Sequence, residues 1–139
     1  MKKLFWTMLF ALVASLFAVR AQAQALVIAN PGVKAGAVSK SQLRDIFTGG
    51  STSLDGAAVT PVLLKQGAVT NEFLAAYIGK NDTAFRAGWR SLVFSGQASM
   101  PRSLDNDAAV VDYVAHNAGA IGYIGKSSPH EGVKVLVVK

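Results

Sequence analysis

A helical run that ends in glycine and passes straight into a short apolar strand constrains this chain more than any other stretch. The amphipathic residues Asp107–His116 are followed by Asn117-Ala118-Gly119-Ala120-Ile121-Gly122-Tyr123-Ile124-Gly125. Gly119 is placed to supply the left-handed backbone that closes a helix. Gly122 and Gly125 let a second backbone or a ligand come close to the strand. Read alone, the stretch is a tight helix–strand connection.

The rest of the chain repeats that alternation. Leu26–Ala29 is a short apolar strand ended by the turn Asn30-Pro31-Gly32. Ser39-Lys40-Ser41-Gln42 has capping-box spacing and opens a helix with Leu43, Ile46 and Phe47 inward, stopped by Gly49-Gly50. Ser51–Ala57 reads as loop, and Val59–Lys65 as a second strand with Pro61 near its start. Thr70-Asn71-Glu72 is expected to open a helix carrying Phe73, Leu74, Tyr77 and Ile78, with Gly79 as its stop. Asn81-Asp82-Thr83 caps the next helix, whose core stripe is Phe85, Trp89, Leu92 and Val93. Ser95–Arg102 reads as loop, Asp105 or Asn106 as the cap of the last helix, and Val133–Val138 as a final strand. The expected fold is α/β: a small, mostly parallel sheet flanked by helices.

The first residues read as an address rather than as structure. Lys2 and Lys3 precede an apolar run from Leu4 to Val19, and Arg20-Ala21-Gln22-Ala23-Gln24-Ala25 follows. That order is a secretory signal peptide over residues 1–23, with cleavage after Ala23 or after Ala25. The run is short for a membrane span of about 20 apolar residues, so the mature protein is expected to have none and to be periplasmic or secreted. Removing 23 of 139 residues leaves 116, residues 24–139, enough for one domain. With no cysteine, the exported domain must rely on an ordinary core. Loss of Lys2, Lys3 and Arg20 takes the 14 basic residues to 11 against 8 acidic ones, a net of +3. No basic run remains, which argues against nucleic acid as a partner.

Several landmarks resemble, in order, those of the phosphate-binding proteins of ABC transporters. Ser41–Gly49 is similar to their "qL..IF.G" helix, Val59–Lys65 to the strand that follows, Phe73–Ile78 to their "F..YL" helix, and Val111–Gly125 to their "YV..tpGAIGYV" end. The resemblance covers about Leu26 to Gly125. It implies one lobe of a type 2 periplasmic binding protein, a short single-lobe member that recognises phosphate or a related oxyanion for uptake or sensing. Two departures stand out: the length suits one lobe rather than two, and the family's Arg-then-Ser-Gly-Thr loop is here Lys65-Gln66-Gly67-Ala68-Val69-Thr70. Lysine replaces a bidentate guanidinium by a point charge.

That strand-to-helix loop is the first candidate site, because backbone N–H groups at a helix start attract anions. Lys65 would add charge, Gly67 close approach and Thr70 a hydroxyl, with Ser95 and Gly96 as further oxyanion donors. Two or three charge-assisted hydrogen bonds of roughly 1.5–3 kcal/mol each, less several kcal/mol for association, leave about 4 kcal/mol, a millimolar site. Tight binding would need a second copy or a transporter permease to complete the cleft. The alternative is an interaction protein that keeps the fold without the ligand. His116 and His130 have no metal-ligand spacing beside them, no Gly-x-Ser-x-Gly occurs, and Asp105, Asp107 and Asp112 read as caps and solvated faces. No catalytic residue, metal or cofactor is therefore expected, and the protein is read as a binding module, not an enzyme. Arg86 and Arg90 share one helical face that would suit an anionic partner or simply water.

Overall fold

A computed structural model describes residues 25–139; the expected signal peptide over 1–23 lies outside them. In chain order the elements are β1 Ala25–Ala29, β2 Ala37–Val38, α1 Lys40–Phe47, β3 Ser53–Leu54, β4 Ala57–Ala58, β5 Thr60–Leu64 and α2 Ala68–Phe73. A π-helical turn Leu74–Ile78, α3 Asp82–Phe94, β6 Arg102–Leu104, α4 Asp107–His116, β7 Ala120–Gly125, β8 Lys134–Val135 and β9 Val137–Val138 complete them. The main sheet has the order β6-β5-β7-β1-β8. β5 pairs parallel with β6 and β7, while β1 pairs antiparallel with β7 and β8. Four of the five strands therefore run one way and β1 opposes them, a mostly parallel α/β sheet.

Local chemistry sets the helix ends. Ser39 caps α1 in a reciprocal box with Gln42, and Asn81 and Asn106 cap α3 and α4 through their side chains. Gly79 closes the π-helical turn in the left-handed region. Asn30, read as part of a turn, has a second task. Its amide donates to the carbonyls of Val114 at 2.9 Å and Ala115 at 3.2 Å, taking up orphan acceptors at the end of α4.

β7 organises the core because its alternation sends neighbours to opposite layers. A Cβ on Gly122 would meet Val110 at 3.0 Å and Val114 at 3.3 Å, so α4 lies directly on the strand. Tyr123 points the other way into an aromatic cluster, stacked on Phe73 at 4.0 Å and edge-on to Phe47 at 5.9 Å. Trp89 of α3 joins that layer and donates its indole N–H to the Phe47 carbonyl at 2.9 Å. Phe47 and Phe73 are fully buried, and each such side chain contributes about 1.5–3 kcal/mol of burial.

Five local expectations change. The loop expected over Ser95–Arg102 runs into a strand, β6, which begins at Arg102 and forms the edge of the main sheet. Ser51–Ala57 is not plain loop: β3 and β4 form a hairpin whose Asp55-Gly56 turn has φ 49° and 82°, the conformation two-residue hairpins favour. The helix expected at Thr70 begins at Ala68. Val93 does not complete the core stripe but is 42% exposed. The final strand divides at buried Leu136: β8 joins the main sheet, and β9 pairs parallel with β2.

Candidate functional site

Three connections leave the C-terminal ends of three neighbouring parallel strands and converge. Lys65-Gln66-Gly67 leads from β5 to α2, Asp105-Asn106 from β6 to α4, and Ser128-Pro129 follows β7. Together they line a pocket of about 680 Å³. The chain moves from β5 to β6 on one side and then crosses back to β7 on the other. Ligands of open α/β sheets bind outside the strand ends at such a reversal.

The start of α2 differs from the other helix starts. Its N-cap is Gly67, with φ 165° and no side-chain hydrogen bond, so no side chain covers its first N–H groups. Ala68 is exposed and lines the pocket. Gly67 is extended backbone that any residue adopts, and its value here is the absent side chain: a Cβ would meet nothing within 4 Å. Lys65 also lines the pocket, exposed, with its own N–H donated to the Leu104 carbonyl at 2.9 Å.

Thr70 is placed differently from its expected role. Because α2 starts at Ala68, Thr70 is the third helical residue and faces inward, 1% exposed. Its hydroxyl lies 2.8 Å from the Lys65 carbonyl, 3.0 Å from that of Leu64 and 3.0 Å from the Tyr123 hydroxyl. The Leu64 N–H in turn donates to the Tyr123 oxygen at 3.2 Å. Burial pushes the Tyr123 phenol above its ordinary pKa, opposed in part by its bonds to Thr70 and Leu64. Thr70 therefore braces the loop from beneath and offers nothing to its mouth.

Ser95 and Gly96 are not brought to this pocket. They end α3: the Ser95 hydroxyl donates to the Leu92 carbonyl at 3.1 Å, and Gly96 takes a φ of 74° to turn the chain. His116 lies at the end of α4 beside Asp112, and both are exposed. Arg86 is tied to Asp82 at 3.0 Å, one turn earlier on α3. Among the described residues no group of three His, Cys, Asp or Glu could hold a metal, and no helix is long and apolar enough to cross a membrane.

One participant was missed in the sequence. Asp107, the first residue of α4, accepts from the Gly125 N–H at 3.0 Å and from the Ser128 hydroxyl. Sequence alone assigns it to a cap or a solvated face; in the fold it clamps α4 to the end of β7. An acidic residue at a helix start was the one available signal, and its partner 18 positions away was not visible. With Asp105 it gives the pocket lining two carboxylates against one lysine.

In fold this arrangement is similar to one lobe of the type 2 periplasmic binding proteins. The solved structures it resembles are phosphate-binding proteins of ABC transport systems. One is a protein of Clostridium perfringens assigned as a phosphate ABC transporter substrate-binding protein and solved with phosphate bound, at 19% identity and a TM-score of 0.63. Others are PstS of Borrelia burgdorferi, at 18% and 0.61, and an ABC-type phosphate transport receptor of Vibrio cholerae, at 16% and 0.55. Each match covers 84% of this chain but only 45%, 47% and 46% of the respective relative, so the chain spans under half their length. No protein-family model and no curated protein matches the sequence.

Proposed function

We propose that this chain is an exported binding module whose strand-end pocket recognises phosphate or a related small oxyanion, for uptake or sensing. The observation that carries this reading is the uncapped start of α2, with its free N–H groups opening beside Lys65 into the pocket. Hydrogen bonds from those N–H groups would be charge-assisted and worth roughly 1.5–3 kcal/mol each. Two nearby carboxylates work against them. Asp107 is partly offset by the N–H and hydroxyl it accepts, whereas Asp105 is exposed. A lone copy is accordingly a millimolar binder, and a second copy or a permease of the ABC type would complete a tighter site. The same carboxylates favour one rival reading, an interaction protein that keeps the lobe without its ligand.

Thermal unfolding in phosphate, sulfate and chloride at matched ionic strength separates the two, since a ligand of the folded state raises Tm by mass action. Tens of millimolar phosphate are expected to raise Tm more than sulfate or chloride does. Ala68→Pro removes one first-turn N–H while suiting the first helical position, so it should keep the fold and lose the increment, as should Lys65→Ala. Thr70→Val should lower the baseline Tm yet retain the increment, because its hydroxyl is turned inward. Equal shifts in all three salts would leave the interaction reading standing.

Export is part of the proposal, and the position of Ala25 bears on processing. Ala25 is buried in β1 opposite Gly125, so cleavage after Ala23 keeps the strand whole and cleavage after Ala25 removes its first residue. The mature protein from a periplasmic extract is expected to begin at Gln24 by intact mass. A mass beginning at Leu26 would reject that choice.

A further inference from the structure

Far from the strand-end pocket, the molecule carries a second surface that oxyanion binding does not use. Five large hydrophobic residues are exposed among those described, and three of them, Val93, Phe94 and Met100, fall within eight positions at the end of α3. Phe94 is 96% exposed. A phenylalanine left wholly in water beside exposed Val93 in the chain marks a contact surface rather than a core. Just beyond it, Gln97 and Ala98 enter the wall of a groove of about 600 Å³. That groove lies at the N-terminal ends of β5 and β6, lined by Val59, Pro61, Trp89, Met100, Arg102 and Tyr113 among others, and shares no residue with the first pocket.

Charge selects the occupant. No acidic residue occurs between Asp82 and Asp105, while Arg86, Arg90 and Arg102 do. Asp82 holds Arg86, but among the described residues no carboxylate lies within 4.0 Å of Arg90 or Arg102. Arg90 sits one helical turn before Phe94 on the same face of α3. Arg102 is the one charged residue of the groove wall, with its guanidinium 5.3 Å from the centre of the Tyr113 ring. Two like-charged copies of this face would repel each other across a two-fold axis, whereas a partner carrying carboxylates would not.

Backbone supplies the third element. β6 is the edge of the main sheet, paired on one side only, and Arg102 and Ser103 are exposed. An unpaired edge is a template for one more strand. We propose that this face is a docking site for an extended segment of a partner protein that alternates apolar and acidic side chains. The segment pairs with β6, sets its carboxylates on Arg102 and Arg90, and covers Phe94 and Met100 with its apolar residues.

The probe is a fluorescein-labelled eight-residue peptide alternating valine and phenylalanine with glutamate, titrated into the protein and followed by anisotropy. Its counterpart with lysine in place of glutamate is the control. Saturable binding of the glutamate peptide alone is expected, weakened about tenfold by Phe94→Ser and by Arg102→Gln, with the Ser103 amide shifting in NMR spectra. Both substituted residues are exposed, and an unchanged Tm confirms that the variants fold. No saturation by millimolar peptide, or equal binding of the lysine peptide, overturns the proposal. A dimer in sedimentation that Phe94→Ser dissociates assigns the face to a second copy instead. Arginine-dependent binding to phosphatidylglycerol vesicles, without peptide binding, assigns it to a membrane surface.

Discussion

Phe73→Ala is expected to lower the unfolding free energy by about 3–5 kcal/mol, the cost of emptying a buried aromatic site. Phe73 is fully buried and sits at the centre of the aromatic layer. Its ring stacks on Tyr123 at 4.0 Å and 4°, and meets Phe47 at 4.9 Å and Tyr77 at 5.8 Å edge-on. Those contacts come from three different elements, α1, the π-helical turn and β7, so no single neighbour can collapse into the space left behind. A domain of this size has about 5–15 kcal/mol in total, and the variant should unfold at a urea concentration far below that of the parent. Phe73→Leu refills much of the volume and should recover more than half of the loss. A loss below about 1 kcal/mol for Phe73→Ala would show that this ring does not hold the layers together. The aromatic layer also backs the Thr70–Tyr123 hydroxyl pair, so the same variant should loosen the Lys65–Gly67 loop.

Most of the helix caps were legible in the sequence because their chemistry is local. Ser39 and Gln42, Gly79 and Asn81 each act within a few residues of their own position, and each ends or opens a helix where its chemistry placed it. Gly119 takes the expected left-handed backbone, but two residues beyond the extended cap Asn117, in the turn to β7 rather than as the helix stop. The apolar run of β1 announced a strand buried on both faces, and the ordered landmarks up to the glycine-rich strand pointed to the fold the chain shares with the solved structures. What stayed hidden was decided by long-range geometry. Helix α2 starts two residues early, and that shift turned Thr70 from a ligand contact into an internal brace under Lys65. Asp107 gains its role only once Gly125 and Ser128 arrive beside it. The Asp55-Gly56 turn was legible in principle, since that dipeptide is a strong hairpin signal. Its two-residue strands were too short to show alternation. Ser95 and Gly96 have the composition of a polar loop, but their chemistry is spent on closing α3.

Gly119→Ala should cost about 2–5 kcal/mol, although it adds a single methyl group. Gly119 holds a φ of 77° between α4 and β7, where an L-residue pays roughly 1–2 kcal/mol. An added Cβ would also stand 2.7 Å from the Ala58 carbonyl oxygen, and that obstacle is backbone that cannot rotate aside. Relieving such an overlap by moving main chain costs about 1–3 kcal/mol more. The Thr60 N–H bonds the Gly119 carbonyl at 2.9 Å at the same corner, so the strain passes directly into the pairing of β5 with β7. Gly67→Ala is the matched comparison: its backbone is extended, its Cβ would meet nothing within 4 Å, and replacing glycine lowers the entropy of the unfolded chain. That variant should be neutral or gain a few tenths of a kcal/mol. Urea denaturation of both proteins, with equal m-values, decides the matter. If the two substitutions cost the same, the close approach of the Ala58 and Gly119 backbones does not govern how the helix-to-strand corner is built.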